Sequence, residues 1–130
     1  MADYTLINLK DVEDAAPGFG LSPDLEARFA RDVLGLENSG ISYQRLAPSY
    51  RAPFGHKHGQ QEELYVVLGG SGRVKLDDEI VDVRQWDVVR VPSQTMRNFE
   101  AGPDGLELLA FGAPSMGNKD VEQTPGWWTD

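Results

Sequence analysis

The sequence has no cysteine, which excludes disulfides, zinc–thiolate sites and thiol nucleophiles. Histidine is nearly absent as well, with two in 130 residues. Basic residues are scarce: 12 Lys and Arg against 21 Asp and Glu give a formal net charge of −9. A chain with that balance repels phosphate backbones and anionic lipid headgroups, so neither nucleic acid nor a membrane surface is an expected partner. The middle of the chain is close to charge balance and both flanks are acidic, which suggests solvated ends around a packed centre. The longest apolar run, Leu64 to Leu68, falls far short of the roughly 20 residues a spanning helix needs. The opening residues Met1 to Tyr4 lack a basic stretch followed by an apolar one, and the expected location is cytoplasmic.

What is present suits one domain with a real core, since 40% of the residues are hydrophobic. Fourteen glycines and eight prolines recur at short intervals, the spacing of many short strands joined by tight turns. One segment predicts a helix, over about 22–36. Ser22 suits its N-cap, Pro23 its first position, and Leu25, Phe29 and Val33 repeat every four residues. Asn38-Ser39-Gly40 would end it. Strands are expected at 41–46, 63–68, 72–76, 79–83, 86–91, 96–100 and 106–111. Asp77-Asp78 reads as a hairpin turn, and so do Gly69–Gly72 and Gly102-Pro103-Asp104-Gly105. Seven such strands imply a sandwich or barrel over 40–112, preceded by an extension (1–39) and followed by an irregular tail (113–130). Trp127-Trp128 in that tail should pack back on the body or on a second copy.

The chemistry concentrates in one place. His56 and His58 are two apart, so on a strand both rings share a face. Glu63 opens the next apolar strand. Two imidazoles and a carboxylate from neighbouring strands match a three-ligand site for a first-row divalent metal. Spacing alone leaves a structural histidine pair equally open. Tyr43 and Arg45 share a strand face just before the pair; they either line the mouth of the same cavity or form a solvated face. Arg90, inside an apolar strand, is expected to point outward, and Met96 and Phe99 to fill the barrel. Gly69–Gly72 joins two strands rather than preceding a helix, so it is not a phosphate loop, and no serine elbow is present.

Residues 56–70, His-Lys-His-Gly-Gln-Gln-Glu-Glu-Leu-Tyr-Val-Val-Leu-Gly-Gly, resemble the first cupin motif, with His56, His58, Glu63 and Gly70 at its characteristic positions. Residues 86–97, Trp-Asp-Val-Val-Arg-Val-Pro-Ser-Gln-Thr-Met-Arg, resemble a degraded second motif in which Pro92 is retained. Trp86 and Gln94 stand where the family usually has glycine, Ala101 where it has asparagine, and Arg97 where it has the fourth, histidine ligand. The resemblance spans roughly residues 40–112. It implies an all-β, double-stranded β-helix (jelly-roll) barrel, usually a homodimer, with His56, His58 and Glu63 holding a divalent metal (Fe, Mn, Ni, Co or Zn).

Arg97 divides the functional expectations. A guanidinium cannot ligate a metal and stays charged. In one reading a metal binds the three remaining ligands and Arg97 clamps a small anionic substrate, in a metal-dependent enzyme of dioxygenase or isomerase type. In another no metal binds, Arg97 pairs with Glu63, and the barrel is a small-ligand binding or sensing module. In a third Arg97 faces solvent and carries no function. A separate expectation is a structural or interaction role through the acidic flanks and the Trp pair.

Overall fold

Strands β1 (Leu25–Phe29), β2 (Gly40–Leu46), β3 (Phe54–His58), β4 (Glu62–Leu76), β5 (Glu79–Arg84), β6 (Val88–Val91), β7 (Arg97–Ala113) and β8 (Val121–Pro125) form one curled antiparallel sheet in the computed structural model. The structure describes every residue except 116 and 118. The expected all-β barrel is therefore what the chain builds, and no described helix is long and apolar enough to cross a membrane.

The long strands β4 and β7 dominate the architecture. They pair from Glu62↔Ala113 to Leu76↔Arg97, with register shifts at Val67/Gly69 and Gly70/Gly72. The turns expected at 69–72 and 102–105 are thus not reversals but bulged bends within continuous strands. The glycines serve close backbone approach: a Cβ on Gly70 would sit 2.0 Å from the Gly105 carbonyl oxygen, and one on Gly72 2.2 Å from that of Glu100. The Asp77-Asp78 hairpin turn forms as expected between β4 and β5. Alternate residues of β4 and β7 point inward and make one core of Tyr65, Val67, Val74, Phe99, Leu106 and Leu108, joined by Leu46, Val83 and Val91. Phe99 fills the barrel as expected, but Met96 lies with its sulfur against Gly55, beside Trp127. Arg90 points to solvent, as expected. The strand expected from residue 86 starts at Val88, because Trp86 takes a left-handed turn conformation (φ 74°).

The helix expected over 22–36 does not form. Residues 25–29 are β1, paired with β2 from Leu25↔Leu46 to Phe29↔Ser42, and only α1 (Arg31–Leu34) is helical. The four-residue stripe misled because it has nothing to bury against: Phe29 and Val33 are more than half exposed. Ladder hydrogen bonds to β2 stabilise 25–29 instead.

Glu26, buried on β1, ties the N-terminal segment down. Its carboxylate accepts from Arg28 Nε (2.6 Å), Lys10 Nζ (3.0 Å) and Arg45 Nε (3.0 Å). Burial pushes its pKa up, but the three cations outweigh that and hold it at about 2, below the ordinary 4.5. A depressed carboxylate pKa stabilises the fold above the ordinary value, and that stabilisation is lost as pH falls toward 2. Glu26→Gln should therefore cost about 2 kcal/mol at neutral pH, after discounting for solvent around Lys10, and less in acid. Urea unfolding at pH 7 and pH 3 measures it; an equal cost at both would rule out the charge network.

The C-terminal tail is more ordered than its composition suggests. β8 pairs with β3 from Phe54↔Pro125 to His58↔Val121. Trp128 is buried, with Arg51 4.3 Å and Arg73 5.1 Å from its ring, and Trp127 lies against Gly55 under Lys75. The Trp pair thus packs back on the body.

Candidate metal centre

Parity along the strands selects which side chains meet inside the barrel. On β3, His56 and His58 share the inward face, and His56 is the cross-strand partner of Arg97 on β7. On β4, Glu63 and Tyr65 share the inward face with Val67. Glu63 and Arg97 come from opposite ends of the β4–β7 ladder, yet Arg97 Nη1 lies 3.7 Å from Glu63 Oε1. Leu76, the partner of Arg97, is roughly 13 residues beyond Glu63 on the same strand, about 43 Å if straight at ~3.3 Å per residue. The ladder curls on itself, with its register shifts at the glycine bends, and so brings its two ends together.

Glu63 Oε1 is the focus. It accepts a hydrogen bond from the Tyr65 hydroxyl at 2.6 Å, and His58 Nε2 and His56 Nε2 lie at 3.2 and 3.4 Å. The two imidazole rings stand edge to face, their centroids 5.3 Å apart. One donor atom from each of His56, His58 and Glu63 fits within 4.8 Å of the others, the cluster the spacing anticipated. His58 Nδ1 lies 3.0 Å from Asp120 Oδ1. His56 is the most open of the three, with a quarter of its side chain exposed.

Burial and charge act against each other here. Burial pushes the Glu63 carboxyl up, but His56, His58 and Tyr65 pull it well below the ordinary carboxylate range. Burial lowers His56, and Glu63 offsets that only in part. Burial also lowers His58, but Glu63 and Asp120 together turn the net shift upward. Burial holds the Tyr65 hydroxyl protonated far above its usual range. Arg97 is fully buried; its Nη2 donates to the Pro92 carbonyl at 3.0 Å, while Nε and Nη1 have no hydrogen-bond partner among the described residues. The reading in which Arg97 faces solvent is overturned.

The donor set fits a metal ion with open positions. Two imidazole nitrogens and one carboxylate oxygen converge, and one histidine has its other nitrogen held by a carboxylate, the arrangement that aims a ligating imidazole. Arg97 occupies the fourth corner as a cation with unpartnered N–H groups, so it suits an anion beside the metal rather than the metal itself.

Tyr43 and Arg45 do not join this centre. They pair with Leu109 and Glu107, one residue out of step with the inward-facing Ala110 and Leu108, and so lie on the opposite face of the sheet. There the Tyr43 hydroxyl donates to Glu107 at 2.6 Å, and Arg45 binds Glu26. Two contributors escaped the sequence reading. Tyr65 was within reach of it, being two residues beyond Glu63 on the same strand. Asp120 was not, because nothing local marks a tail residue that packs on a histidine 62 positions away.

No family model matches the chain. Over 68 residues it is 34% identical to an uncharacterized protein of Methanocaldococcus jannaschii, a match covering 52% of this chain and 54% of that protein. The chain thus spans about half the length of the curated relative it matches. Solved structures are similar over most of the chain. A cupin protein from Bacteroides fragilis superposes with a TM-score of 0.72 at 22% identity, covering 90% of this chain and 89% of that one. Oxalate decarboxylase from Bacillus subtilis gives 0.74 at 25%, covering 90% of this chain and 31% of the enzyme. Streptomyces PAC13, solved with uridine, gives 0.71 at 16%, covering 96% and 91%.

Proposed function

We propose that this chain, whose fold is that of solved cupin structures, is a metal-centre protein in which His56, His58 and Glu63 hold one divalent first-row ion and Arg97 anchors a small anionic ligand beside it. The convergence of three donor atoms within 4.8 Å, next to a buried guanidinium with two unpartnered nitrogens, carries this reading. Activity of dioxygenase or isomerase type on a small carboxylate or phosphate follows as the finer proposal.

His56, His58 and Glu63 would hold a divalent ion whose Lewis acidity would be available to an oxygen of the ligand. The chain's own groups do the rest. Arg97 Nε and Nη1 bind and orient the anion. A dication held there would repel the Arg97 guanidinium, and the Glu63 carboxylate and a bound anion would offset that repulsion. Tyr65 keeps its proton and holds Glu63 Oε1 in place. Val67, Phe99 and Leu108 line the interior beyond and exclude water.

The contact between Arg97 and Glu63 supports a second reading, in which the guanidinium itself supplies the positive charge and the barrel binds a ligand without metal. Elemental analysis of untagged protein separates the two. Roughly one metal ion per chain in the wild type and none in the His56→Ala/His58→Ala variant is the expected result. No metal after incubation with excess Fe(II), Mn(II) or Zn(II) would overturn the metal reading. Thermal stabilisation by carboxylates or phosphates, abolished in Arg97→Ala and indifferent to chelator, would then support the metal-free one.

A further inference from the structure

We propose that Asp120 is the positioning residue of this centre: anchored by the loop it closes, its carboxylate fixes His58 as the Nδ1–H tautomer and so aims a free Nε2 lone pair at the point shared with His56 and Glu63.

The geometry leaves Asp120 no freedom. Its Oδ2 accepts the backbone N–H groups of Gln60 and Gln61, both at 3.0 Å, and its backbone carbonyl accepts from Gly59 N at 2.9 Å. Oδ1 is what remains, and it meets His58 Nδ1 at 3.0 Å. Both partners are almost fully buried, the His58 side chain 7% exposed and that of Asp120 9%. A carboxylate only accepts, so a proton on Nδ1 satisfies the shorter of the two carboxylate contacts, and whenever the ring is neutral its lone pair is then at Nε2.

That lone pair faces another acceptor, Glu63 Oε1 at 3.2 Å. Two acceptors at that distance repel unless a proton or a metal cation lies between them. Asp120 thus makes the centre one that demands a cation, independent of which cation fills it.

The residue arrives from outside the barrel sequence. It sits immediately before β8, whose pairing places Val121 opposite His58. Trp128, between Arg51 and Arg73, and Asp130, on Arg51 at 2.7 Å, fasten the far end of the same segment. The C-terminal segment is therefore part of the site.

Asp120→Asn separates positioning from scaffolding. The Gln60 and Gln61 N–H groups require the amide oxygen, which leaves the NH2 to face His58 Nδ1. That nitrogen must then accept, and the ring proton moves to Nε2, where it blocks a metal. Two measurements read this out: long-range 15N–1H correlations of the His58 ring in metal-free protein at alkaline pH, and Co(II) titration followed by visible absorption. The wild type should show Nδ1–H. Asp120→Asn should show Nε2–H and bind cobalt 10- to 100-fold more weakly, with its thermal midpoint nearly unchanged. An Nε2–H tautomer in the wild type, or an unchanged tautomer in Asp120→Asn, would overturn the proposal, and the wild-type spectrum decides even if the variant folds poorly. The functional role rests on the metal reading above, but the two fail separately. A tautomer that switches in a protein binding no cobalt would keep the positioning role and discard the metal.

Discussion

Glu63→Gln should destabilise the protein by about 3–5 kcal/mol, more than truncation of most core side chains to the next smaller one. Arg97 is fully buried, and Glu63 is its one carboxylate partner within 4 Å among the described residues. Removing the negative partner leaves a desolvated cation with two unpartnered nitrogens and only the Pro92 carbonyl to offset it. The same change deprives the Tyr65 hydroxyl of its charged acceptor. Removing both charges is a different matter. Glu63→Gln/Arg97→Met leaves no buried charge, and the double variant should regain at least half of the lost stability. Urea unfolding of the wild type, both single variants and the double variant completes the cycle. A cost below about 1 kcal/mol for Glu63→Gln would place it in the range of a solvated ion pair and refute the coupling.

Gly70→Ala and Gly72→Ala should each cost more than about 3 kcal/mol, while Gly18→Ala stays within about 0.5 kcal/mol. A Cβ on Gly72 would meet the Glu100 carbonyl oxygen at 2.2 Å, and one on Gly70 the Gly105 carbonyl oxygen at 2.0 Å; Gly70 also has φ 74°. Backbone carbonyls in a paired ladder cannot step aside as a flexible side-chain end can. Nothing lies within 4 Å of a Cβ on Gly18. The consequence reaches the site, because these glycines mark the register shifts of the ladder whose two ends carry Glu63 and Arg97. Either substitution should therefore weaken the proposed metal site from a position far from its residues. Wild-type-like stability in Gly72→Ala would show that the ladder does not need its close approach there.

The instructive failures of the sequence reading share one cause. Leu25, Phe29 and Val33 have helical spacing, but the pairing of 25–29 with β2 overrides it. Gly69–Gly72 and Gly102–Gly105 carry the residues of reverse turns, but each lies across from the other in one ladder, where glycine permits contact instead of reversal. Tyr43 and Arg45 share a face with each other, as their spacing requires, yet nothing local says which face of the sheet that is. In all three cases the local signal is real and a partner distant in sequence decides its use.

His56, His58 and Glu63 were legible as a cluster for the opposite reason. Two-residue spacing on a strand forces a common face whatever the strand pairs with, and a carboxylate just past a short connection stays near. The residue types themselves settled the rest of that reading: no thiol ligand exists, imidazole and carboxylate are what remains, and Arg97 cannot coordinate. Strand parity and donor chemistry are properties of short segments, so the sequence by itself determined an all-β chain of short strands with a three-residue donor cluster, and the barrel was what its motif resemblance implied. Register and curvature are properties of the closed sheet. They alone decided that Arg97 is buried against Glu63, that Tyr43 and Arg45 are excluded, and that the tail supplies Asp120, because each of these contacts joins residues held together only after the ladder has curled shut.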